Sequence, residues 1–221
     1  MKLLLLSDIH GNVKEIEKLN DEFKSCDAVL FAGDFAECFK TETSKPVLEE
    51  LCRHHDNIFA VIGNCDDPDF SDELDNADIN CEASLNFFEG LCICGSGGGT
   101  VFTGKTPNER TEEDIISDFD ILKSETLSNL ILISHNPPKD TCDSVNENLH
   151  AGSPAFTKLI EEVKPLLVVC GHIHEGEGTG KIGDTLVVNP GCFGENGTYA
   201  VAELLKKDGE YTIAACEMKR V

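Results

Sequence analysis

Five short apolar runs are spaced along the chain, and polar residues follow each of them. Each run contains four or five residues rich in Leu, Ile or Val, without the alternation of apolar and polar positions that a half-buried strand shows. Continuous apolar runs of this length are typical of strands that are buried on both faces. The five predicted strands cover residues 3–6, 28–32, 58–62, 130–133 and 166–170.

Helical patterns lie between these strands. Residues 13–23 carry apolar side chains at positions 13, 16, 19 and 23, which is the spacing of one helix face. A second helix is predicted over 46–55, and a third begins at a capping box around Thr111 and runs to about 123. Ser153 followed by Pro154 predicts the start of a fourth helix. Strands that alternate with helices predict an α/β fold.

Three pairs of short segments each flank a turn dipeptide that contains glycine. Such dipeptides are typical of hairpins. One half of the chain therefore has the pattern of a doubly wound sheet, and the other half has the pattern of a β-meander. A fold of two packed sheets with helices outside would fit both patterns. The predicted pairs are 85–88 with 91–94, 181–182 with 185–188, and 199–204 with 211–216.

Length and charge narrow the class of protein. The chain has 221 residues, and 18 Lys and Arg against 41 Asp and Glu give a formal net charge of −23. We expect a single domain over residues 1–221, because a chain of this size fills one hydrophobic core. The negative charge disfavours general nucleic-acid binding, since phosphate backbones are repelled. The apolar run at 3–6 is too short for a membrane span or a signal peptide, so we expect a cytoplasmic protein with no membrane partner.

Eleven cysteines are present, and none of them forms a Cys-x-x-Cys pair. Their number is odd, and several lie inside apolar runs, where cysteine behaves as a small hydrophobic residue. We therefore expect reduced thiols, as in a cytosolic protein, in preference to a disulfide framework.

Residues able to bind a metal ion follow every one of the five predicted strands. The carboxyl ends of strands in an open α/β sheet form its ligand site, so we expect these side chains to converge. Two carboxylates, one amide oxygen and four imidazoles suit Mn²⁺, Fe, Zn²⁺, Co²⁺ or Ni²⁺ better than Ca²⁺ or Mg²⁺. Seven ligands are too many for one ion with an open position and suit two ions that share a carboxylate. The candidates are Asp8, His10, Asp34, Asn64, His135, His172 and His174.

The order of these motifs resembles that of the calcineurin-like metallophosphoesterases, in particular the small single-domain members. The resemblance spans nearly the whole chain, and it implies the metallophosphoesterase fold, an α/β fold in which a two-sheet β-sandwich of mixed sheets is flanked by helices. The matching motifs are Asp8-x-His10, Gly33-Asp34, Gly63-Asn64-x-Asp66, His135 and Gly171-His172-x-His174.

The resemblance also implies how the ligands divide between two ions. One carboxylate bridges the ions, and each ion has three further ligands. Carried over to this chain, Asp34 is the bridge, Asp8, His10 and His174 hold one ion, and Asn64, His135 and His172 hold the other.

One position departs from the pattern common in the family. Most members have His between the Asn and the Asp of the third motif, and that His is assigned the protonation of the leaving group. This chain has Cys65 in a Gly-Asn-Cys-Asp motif, which a subset of small prokaryotic members shares. A thiol is a weaker proton donor near pH 7 than an imidazolium. We interpret Cys65 as lining the substrate side, and we count it with Asp34, Asn64, Asp66 and His135 as the catalytic candidates.

Two further segments could face a phosphate. His150 precedes the helix that begins after Ser153, and helix N-termini bind anions, so both are substrate-binding candidates. A surface loop position is the alternative for His150. The glycine-rich segment 95–99 lacks the Gly-Lys-Ser/Thr sequence of a phosphate loop, and we interpret it as a flexible strand exit near the site.

These features favour a hydrolase that acts on a small phosphorylated substrate. A hydroxide that bridges two ions, with Mn²⁺ favoured, would attack phosphorus in line. Phosphodiesters, including nucleotide-like ones, are favoured over monoesters because a diester carries less charge toward an acidic protein. The alternatives are an interaction scaffold that kept the fold without the chemistry, and a metal-binding regulator without turnover. The sequence leaves the oligomeric state open.

Overall fold

The computed structural model describes residues 1–102, 104–124 and 127–221, and most of its strands belong to two large mixed sheets. Two small two-stranded sheets, β6 with β7 and β9 with β10, extend from the loops. The strands are β1 Lys2–Leu6, β2 Ala28–Phe31, β3 Ile58–Ala60, β4 Asn86–Phe88, β5 Leu91–Ser96, β6 Gly99–Thr100, β7 Glu109–Arg110, β8 Leu130–Ser134, β9 Ser144–Asn146, β10 Leu149–His150, β11 Leu167–Val169, β12 Gly178–Ile182, β13 Thr185–Asn189, β14 Thr198–Lys207 and β15 Glu210–Arg220.

The first large sheet has the strand order β15-β14-β1-β2-β3. Its strands β1, β2 and β3 are parallel, whereas β14 runs antiparallel to β1 and β15 antiparallel to β14. The register pairs Leu5 with Leu30 and Leu30 with Phe59. The three parallel strands therefore end close together at one edge.

The second large sheet has the strand order β12-β13-β11-β8-β5-β4. Its four inner strands are parallel, and each edge strand is the antiparallel partner of a hairpin. Ile131 of β8 pairs with Ile93 on one side and with Leu167 on the other. The three predicted hairpins are confirmed as β4–β5, β12–β13 and β14–β15.

The core lies in three layers because both faces of the central strands are covered. Leu3 and Leu5 of β1 belong to the same buried cluster as Ile131 and Ile133 of β8, which fills the space between the sheets. The alternate residues of β1 face the helices on the outer side of the first sheet. Each buried aliphatic side chain contributes about 1.5–3 kcal/mol. This double burial explains why the strand runs in the sequence show no alternation, and the predicted two-sheet sandwich with outer helices is confirmed.

The helices are shorter than the sequence predicts in two places. The predicted helix over 13–23 is interrupted by a 3₁₀ turn at Glu17–Leu19, where the Asn20 side chain donates to the Glu17 carbonyl at 2.5 Å and competes with the helix ladder. The predicted helix over 112–123 ends at Ser117, whose hydroxyl donates to the Asp114 carbonyl. The α-helices are α1 Val13–Ile16, α2 Asn20–Ser25, α3 Ser44–His54, α4 Ser71–Asn76, α5 Glu112–Ser117, α6 Pro154–Val163 and α7 Phe193–Asn196.

The helices of the described ranges are all too short or too polar to cross a lipid bilayer.

Candidate metal centre

Backbone hydrogen bonds between two strand ends position the first candidate ligands. The Asp8 amide donates to the Gly33 carbonyl at 2.9 Å, and the His10 amide donates to the Asp34 carbonyl at 3.0 Å. The loops after β1 and β2 therefore run side by side. As a result the carboxylates of Asp8 and Asp34 both lie 3.7 Å from His10 Nε2.

Four of the seven candidate ligands adopt the left-handed backbone conformation. The φ angles are 55° at Asp8, 48° at His10, 60° at Asp34 and 68° at His172. Non-glycine residues rarely adopt this conformation, which costs about 1–3 kcal/mol at each position and is held only where surrounding contacts determine it. Gly63 serves a different purpose, because a Cβ there would lie 1.9 Å from Asp34 Oδ1.

We call Asp8, His10 and His174 the outer ligand group. The side chains of His10 and His174 are 14% and 30% exposed, and their Nε2 atoms lie 3.3 Å apart. Asp8 Oδ1 lies 3.4 Å from His174 Nε2. The three donor atoms therefore surround one small space that is open to solvent on one side.

We call Asn64, His135 and His172 the inner ligand group. His135 has no exposed side-chain surface, and its Nε2 lies 2.8 Å from Asn64 Oδ1. The rings of His135 and His172 lie 5.0 Å apart between centroids. The Ala32 carbonyl lies 2.7 Å from His135 Nδ1, which leaves Nε2 directed at the site.

Asp34 lies between the two groups. Its Oδ2 is 3.7 Å from His10 Nε2 in the outer group and 3.6 Å from His135 Nε2 in the inner group. Its other oxygen, Oδ1, accepts a hydrogen bond from the Cys65 amide at 2.8 Å. One carboxylate oxygen is thus fixed by the backbone, and the other faces both groups.

A cation fits the outer group on two grounds. Within the described part of the chain, Asp8 Oδ1 is buried and accepts no hydrogen bond. Ligands bound to one ion at about 2.0–2.2 Å lie about 3–3.5 Å from one another. The distances from Asp8 Oδ1 to His174 Nε2 and between the two outer imidazoles, 3.4 Å and 3.3 Å, are in this range, and the third distance, from Asp8 Oδ1 to His10 Nε2, is slightly longer at 3.7 Å. The residues present therefore match a divalent ion without rearrangement of the backbone.

Burial and the neighbouring imidazoles shift the pKa values of the two acidic ligands in opposite directions. Burial acts to raise the pKa of Asp8, but its contacts with His174, His135 and His10 outweigh burial, so the pKa is lowered. Burial raises the pKa of Asp34, and the neighbouring Asp8 charge adds to the effect. Asp8 is therefore the more acidic carboxyl group of the pair.

The imidazole side chains also differ from one another in pKa. Contacts with Asp8 and Cys192 raise the pKa of His174 to about 11. Burial and the nearby His135 lower the pKa of His172 to about 3, so that this ring is neutral and able to bind a metal. Burial acts to lower the pKa of His135, but the charges of Asp34 and Asp8 outweigh it and the pKa is raised.

The carboxylate of Asp66 is engaged by backbone amides, and these contacts lend no support to its assignment as a catalytic candidate. It is fully buried, and its carboxylate accepts hydrogen bonds from the amides of Gly63, Ala36 and Phe35. Burial, together with the Asp34 charge, raises its pKa to about 6. Asp66 therefore ties the loop after β2 to the loop after β3 and positions the ligands that these loops carry.

Cys65 also differs from the expectation. It forms a disulfide with Cys38, with the two Cα atoms 4.7 Å apart, whereas the sequence favoured reduced thiols throughout. The other nine cysteines, all within the described ranges, are free. A disulfide sulfur has no proton to donate, so the bonded form of Cys65 is neither a thiol on the substrate side nor a general acid.

The two substrate-binding candidates make their side-chain contacts with residues other than the candidate ligands. Ser153 is buried, and its hydroxyl accepts the Phe156 amide as the N-cap of α6, so it does not present a free hydroxyl to a phosphate. His150 is 40% exposed, and its Nδ1 lies 2.6 Å from Asp143 Oδ1. Their assignment to phosphate binding gains no support from these contacts.

Two asparagines that the sequence did not single out support the inner group. The Asn108 amide donates to the Asn64 carbonyl at 3.0 Å, and its side chain donates to the Gly63 carbonyl. The Asn136 side chain donates to the Gly98 carbonyl and accepts the Thr100 amide. The only sequence signal for Asn136 is that it directly follows His135.

The glycine-rich segment is therefore fixed and not the flexible strand exit that the sequence predicts. Its glycines serve close packing, since a Cβ on Gly99 would lie 2.8 Å from Asn64 Cβ. The Gly98 amide donates to the Ile62 carbonyl at 3.1 Å. The segment thus covers one side of the inner group.

Cys192 is a further residue that the sequence analysis missed. Its sulfur and the ring nitrogens of His10 and His174 all lie within 4.8 Å of one another. In the sequence, Cys192 is marked only by its position after the buried strand β13. Each of the seven candidate ligands likewise follows a buried strand.

A separate groove of about 610 Å³ lies at the opposite edge of the second sheet. Leu130, Leu166 and Thr185 line it at the amino ends of β8, β11 and β13. It is therefore remote from the ligand groups, which lie at the carboxyl ends.

Comparisons with known proteins agree with this geometry. The calcineurin-like phosphoesterase family matches residues 1–176 of the chain. The uncharacterized protein MJ1162 of Methanocaldococcus jannaschii is 33% identical over 198 residues, which cover 86% of this chain and 88% of that protein.

Solved structures share the fold at lower identity. TT1561 of Thermus thermophilus has a TM-score of 0.73 at 20% identity, over 99% of this chain and 98% of that chain. A dimetal phosphatase from Danio rerio has a TM-score of 0.65 at 12% identity, over 100% of this chain and 95% of that chain. At these identities the likeness shows the fold alone.

Proposed function

Because the chain belongs to the calcineurin-like phosphoesterase family, whose members use divalent metal ions, we propose that it hydrolyses phosphodiesters at a centre of two such ions. The observation that carries the proposal is the position of Asp34. Its Oδ2 lies at nearly equal distances, 3.7 Å and 3.6 Å, from a nitrogen of the outer group and a nitrogen of the inner group. A carboxylate in that position is suited to bridge two cations.

The ligand roles follow from the two groups. Asp8, His10 and His174 hold one ion, and the other is held by the inner group. Asp34 belongs to both sites and keeps them at one separation. Mn²⁺ is the favoured ion for the pair, with Fe, Zn²⁺, Co²⁺ and Ni²⁺ as alternatives, since carboxylate, amide and imidazole donors suit all of them.

The bound ions would neutralise the phosphoryl oxygens and lower the pKa of the attacking water. The contribution of the chain is to hold the donors rigidly. Asp66 holds the two amides that follow Asp34 and the amide of Gly63 in the neighbouring loop, and His135 is held through its Nδ1 by the Ala32 carbonyl. Gly99 lies against Asn64 and excludes water from that side.

The leaving group departs without an acid at position 65. The disulfide removes the thiol proton, and Asp66 is buried beneath the loop. A positioned general acid contributes about 10²–10⁴-fold. We therefore propose that activated aryl diesters are cleaved far faster than alkyl diesters.

Phosphodiesters are favoured over monoesters by charge. The chain carries a formal charge of −23, and a diester brings one negative charge to the site where a monoester dianion brings two. Nucleotide-like diesters belong to this class, and no base-specific contact is assigned.

The test is a hydrolysis assay of the purified protein with Mn²⁺. The substrates are bis(p-nitrophenyl) phosphate and p-nitrophenyl phosphate, and Asp34→Asn is the control for contaminating enzymes. We expect a higher kcat/KM for the diester and loss of both activities in the control. Two bound ions without hydrolysis of either ester would instead favour a metal-binding regulator, and absence of both ions and turnover would favour a scaffold.

We also propose a cytoplasmic protein that acts on small phosphorylated molecules. Support comes from the nine free cysteines of the described ranges and from the charge, which disfavours nucleic-acid backbones.

A further inference from the structure

The outer ligand group has a free thiol beside it, whereas the Cys65 sulfur that lies 3.6 Å from Asn64 Nδ2 in the inner group is held in a disulfide. Cys192 Sγ lies within 4.8 Å of the ligand nitrogens of His10 and His174. The side chain of Cys192 is fully buried, so the sulfur faces protein groups and not bulk solvent. Asp8 Oδ1, the buried oxygen without a hydrogen bond, lies 3.4 Å from His174 Nε2 in the same space.

The backbone fixes this sulfur relative to Asp8. The Phe193 amide donates to the Ser7 carbonyl at 3.1 Å, and the Gly194 amide donates to the Asp8 carbonyl at 2.9 Å. Cys192 Sγ itself lies 3.4 Å from the Asp8 carbonyl oxygen. The segment that follows β13 is therefore joined to the segment that follows β1, and the backbone of Cys192 is held beside Asp8.

We infer that Cys192 is a fifth protein ligand of the outer ion, beside Asp8, His10, His174 and the bridging Asp34, which makes the two sites chemically unlike. This inference rests on the proposed metal centre. On binding, a sulfur–metal bond forms, the S–H bond breaks and its proton passes to solvent. The outer site then offers one carboxylate, two imidazoles and one thiolate, besides Asp34.

A thiolate changes which ion the outer site takes. Thiolate ligands favour Zn²⁺, Fe²⁺ and Co²⁺, whereas carboxylate and carbonyl oxygens suit Mn²⁺ and Mg²⁺. The inner group has only oxygen and nitrogen donors. The two sites therefore differ in preference: the outer site selects a thiophilic ion when one competes with Mn²⁺, and both sites accept Mn²⁺ when it is the only ion supplied.

Cobalt substitution tests this inference separately from the metal centre itself. Bound Co²⁺ gives visible d–d bands with any ligands, but a thiolate ligand adds a charge-transfer band in the near ultraviolet. We expect both signals in the wild-type protein, loss of the charge-transfer band alone in Cys192→Ser, and retention of both in Cys216→Ser, which removes a free, half-buried thiol on β15. Visible bands without the charge-transfer band, or a charge-transfer band that persists in Cys192→Ser, overturn the inference. Absence of bound Co²⁺ overturns the metal centre as well.

Two measurements guard against a variant that folds poorly. X-ray absorption at the zinc edge of the wild-type protein should show a sulfur neighbour at about 2.3 Å, and a shell of only oxygen and nitrogen contradicts the inference. In a competition between Zn²⁺ and Mn²⁺, Cys192→Ser should lower the preference for Zn²⁺ by at least ~10-fold at one site. An unchanged preference likewise overturns it.

Discussion

The outer and inner ligand groups contain equal numbers of protein ligands but differ in their surroundings. The outer imidazoles are partly exposed, and a buried carboxylate oxygen between them has no hydrogen bond. In the inner group His135 is fully buried and already lies 2.8 Å from Asn64 Oδ1. In the outer group a cation would bind a carboxylate oxygen that has no hydrogen bond. In the inner group it would bind donor atoms that already contact each other. The outer site should therefore exchange its ion more readily.

The support beneath the two groups differs in the same way. The inner group is covered by the glycine-rich segment and by Asn108, and Glu82 accepts the Ile62 amide below it at 3.0 Å. The outer group depends on the loop after β11 and on the segment around Cys192. The inner site is therefore expected to be rigid and the outer site more open. The substitutions below test this difference.

The largest effect is expected for Asp34→Asn, which removes the one feature that the two groups share. The amide keeps the shape but loses the charge between the two cations. We expect kcat/KM for an aryl diester to fall by more than ~10²-fold, since even changes to residues behind the ligands cost about 10–100-fold. Kinetics and elemental analysis of the same sample check this. Near wild-type turnover with two ions bound contradicts the bridging role.

His10→Ala and His135→Ala compare the two groups directly. Each removes one imidazole, so the chemistry of the change is matched. We expect His10→Ala to lose the outer ion and keep the inner one, because the inner donors are held by their own neighbours. His135→Ala should also lower Tm, because it leaves a cavity at a fully buried position, whereas His10 is partly exposed. If both variants lost the same ions and showed the same decrease in Tm, the proposed difference between the inner and outer sites would be contradicted.

The strands and the convergence of the seven candidate ligands were predictable because burial on both faces and placement after a strand are local features of the sequence. The predicted two-sheet fold and hairpins depend on the same local signals. The left-handed φ angles at Asp8, His10, Asp34 and His172 were not predictable, since the sequence shows only where glycine permits such a conformation. Tertiary hydrogen bonds impose it here.

The roles of Asp66, Ser153 and Cys192 could not be read from sequence for a related reason. Each lies near the site motifs, but its contacts come from segments distant in the chain or from its own helix. Asp66 is turned to the backbone amides of the loop after β2, and Ser153 to the first turn of α6. Cys192 reaches the outer group only because β13 lies beside β11. The spacing of residues in the sequence identifies candidate site residues, but the direction in which each side chain points depends on the folded structure.

A smaller effect is expected from Glu82, which supports the inner group. Burial raises the pKa of Glu82 from 4.5 to about 7. The folded protein therefore keeps a proton that the unfolded chain releases, so this stabilisation is complete below pH 4.5 and is lost as the pH rises through about 7. Relative to Glu82→Gln, the free energy of unfolding of the wild type should fall by about 1–3 kcal/mol across this window. Denaturant unfolding at several pH values measures it, and parallel curves for the two proteins contradict it.

The smallest effect is expected from Cys65→Ala, because the disulfide has no proton to give. Hydrolysis of an activated aryl diester should stay within about threefold of wild type, in contrast to the ~10²–10⁴-fold that a general acid supplies. Cys65→His should narrow the difference between aryl and alkyl diesters. Peptide mapping without reductant should recover residues 38 and 65 as one linked species. Abolished aryl turnover in Cys65→Ala with both ions bound would show that the sulfur takes part in the reaction.

The most direct test of the two-ion centre is a Mn²⁺ titration of metal-free protein followed by electron paramagnetic resonance. Two ions that share Asp34 would lie about 3.5–4 Å apart and couple magnetically. The account predicts saturation at two Mn²⁺ per chain and the spectrum of a coupled pair, which Asp34→Asn should lose. Saturation at one ion, or two ions with the spectrum of isolated Mn²⁺, would contradict it.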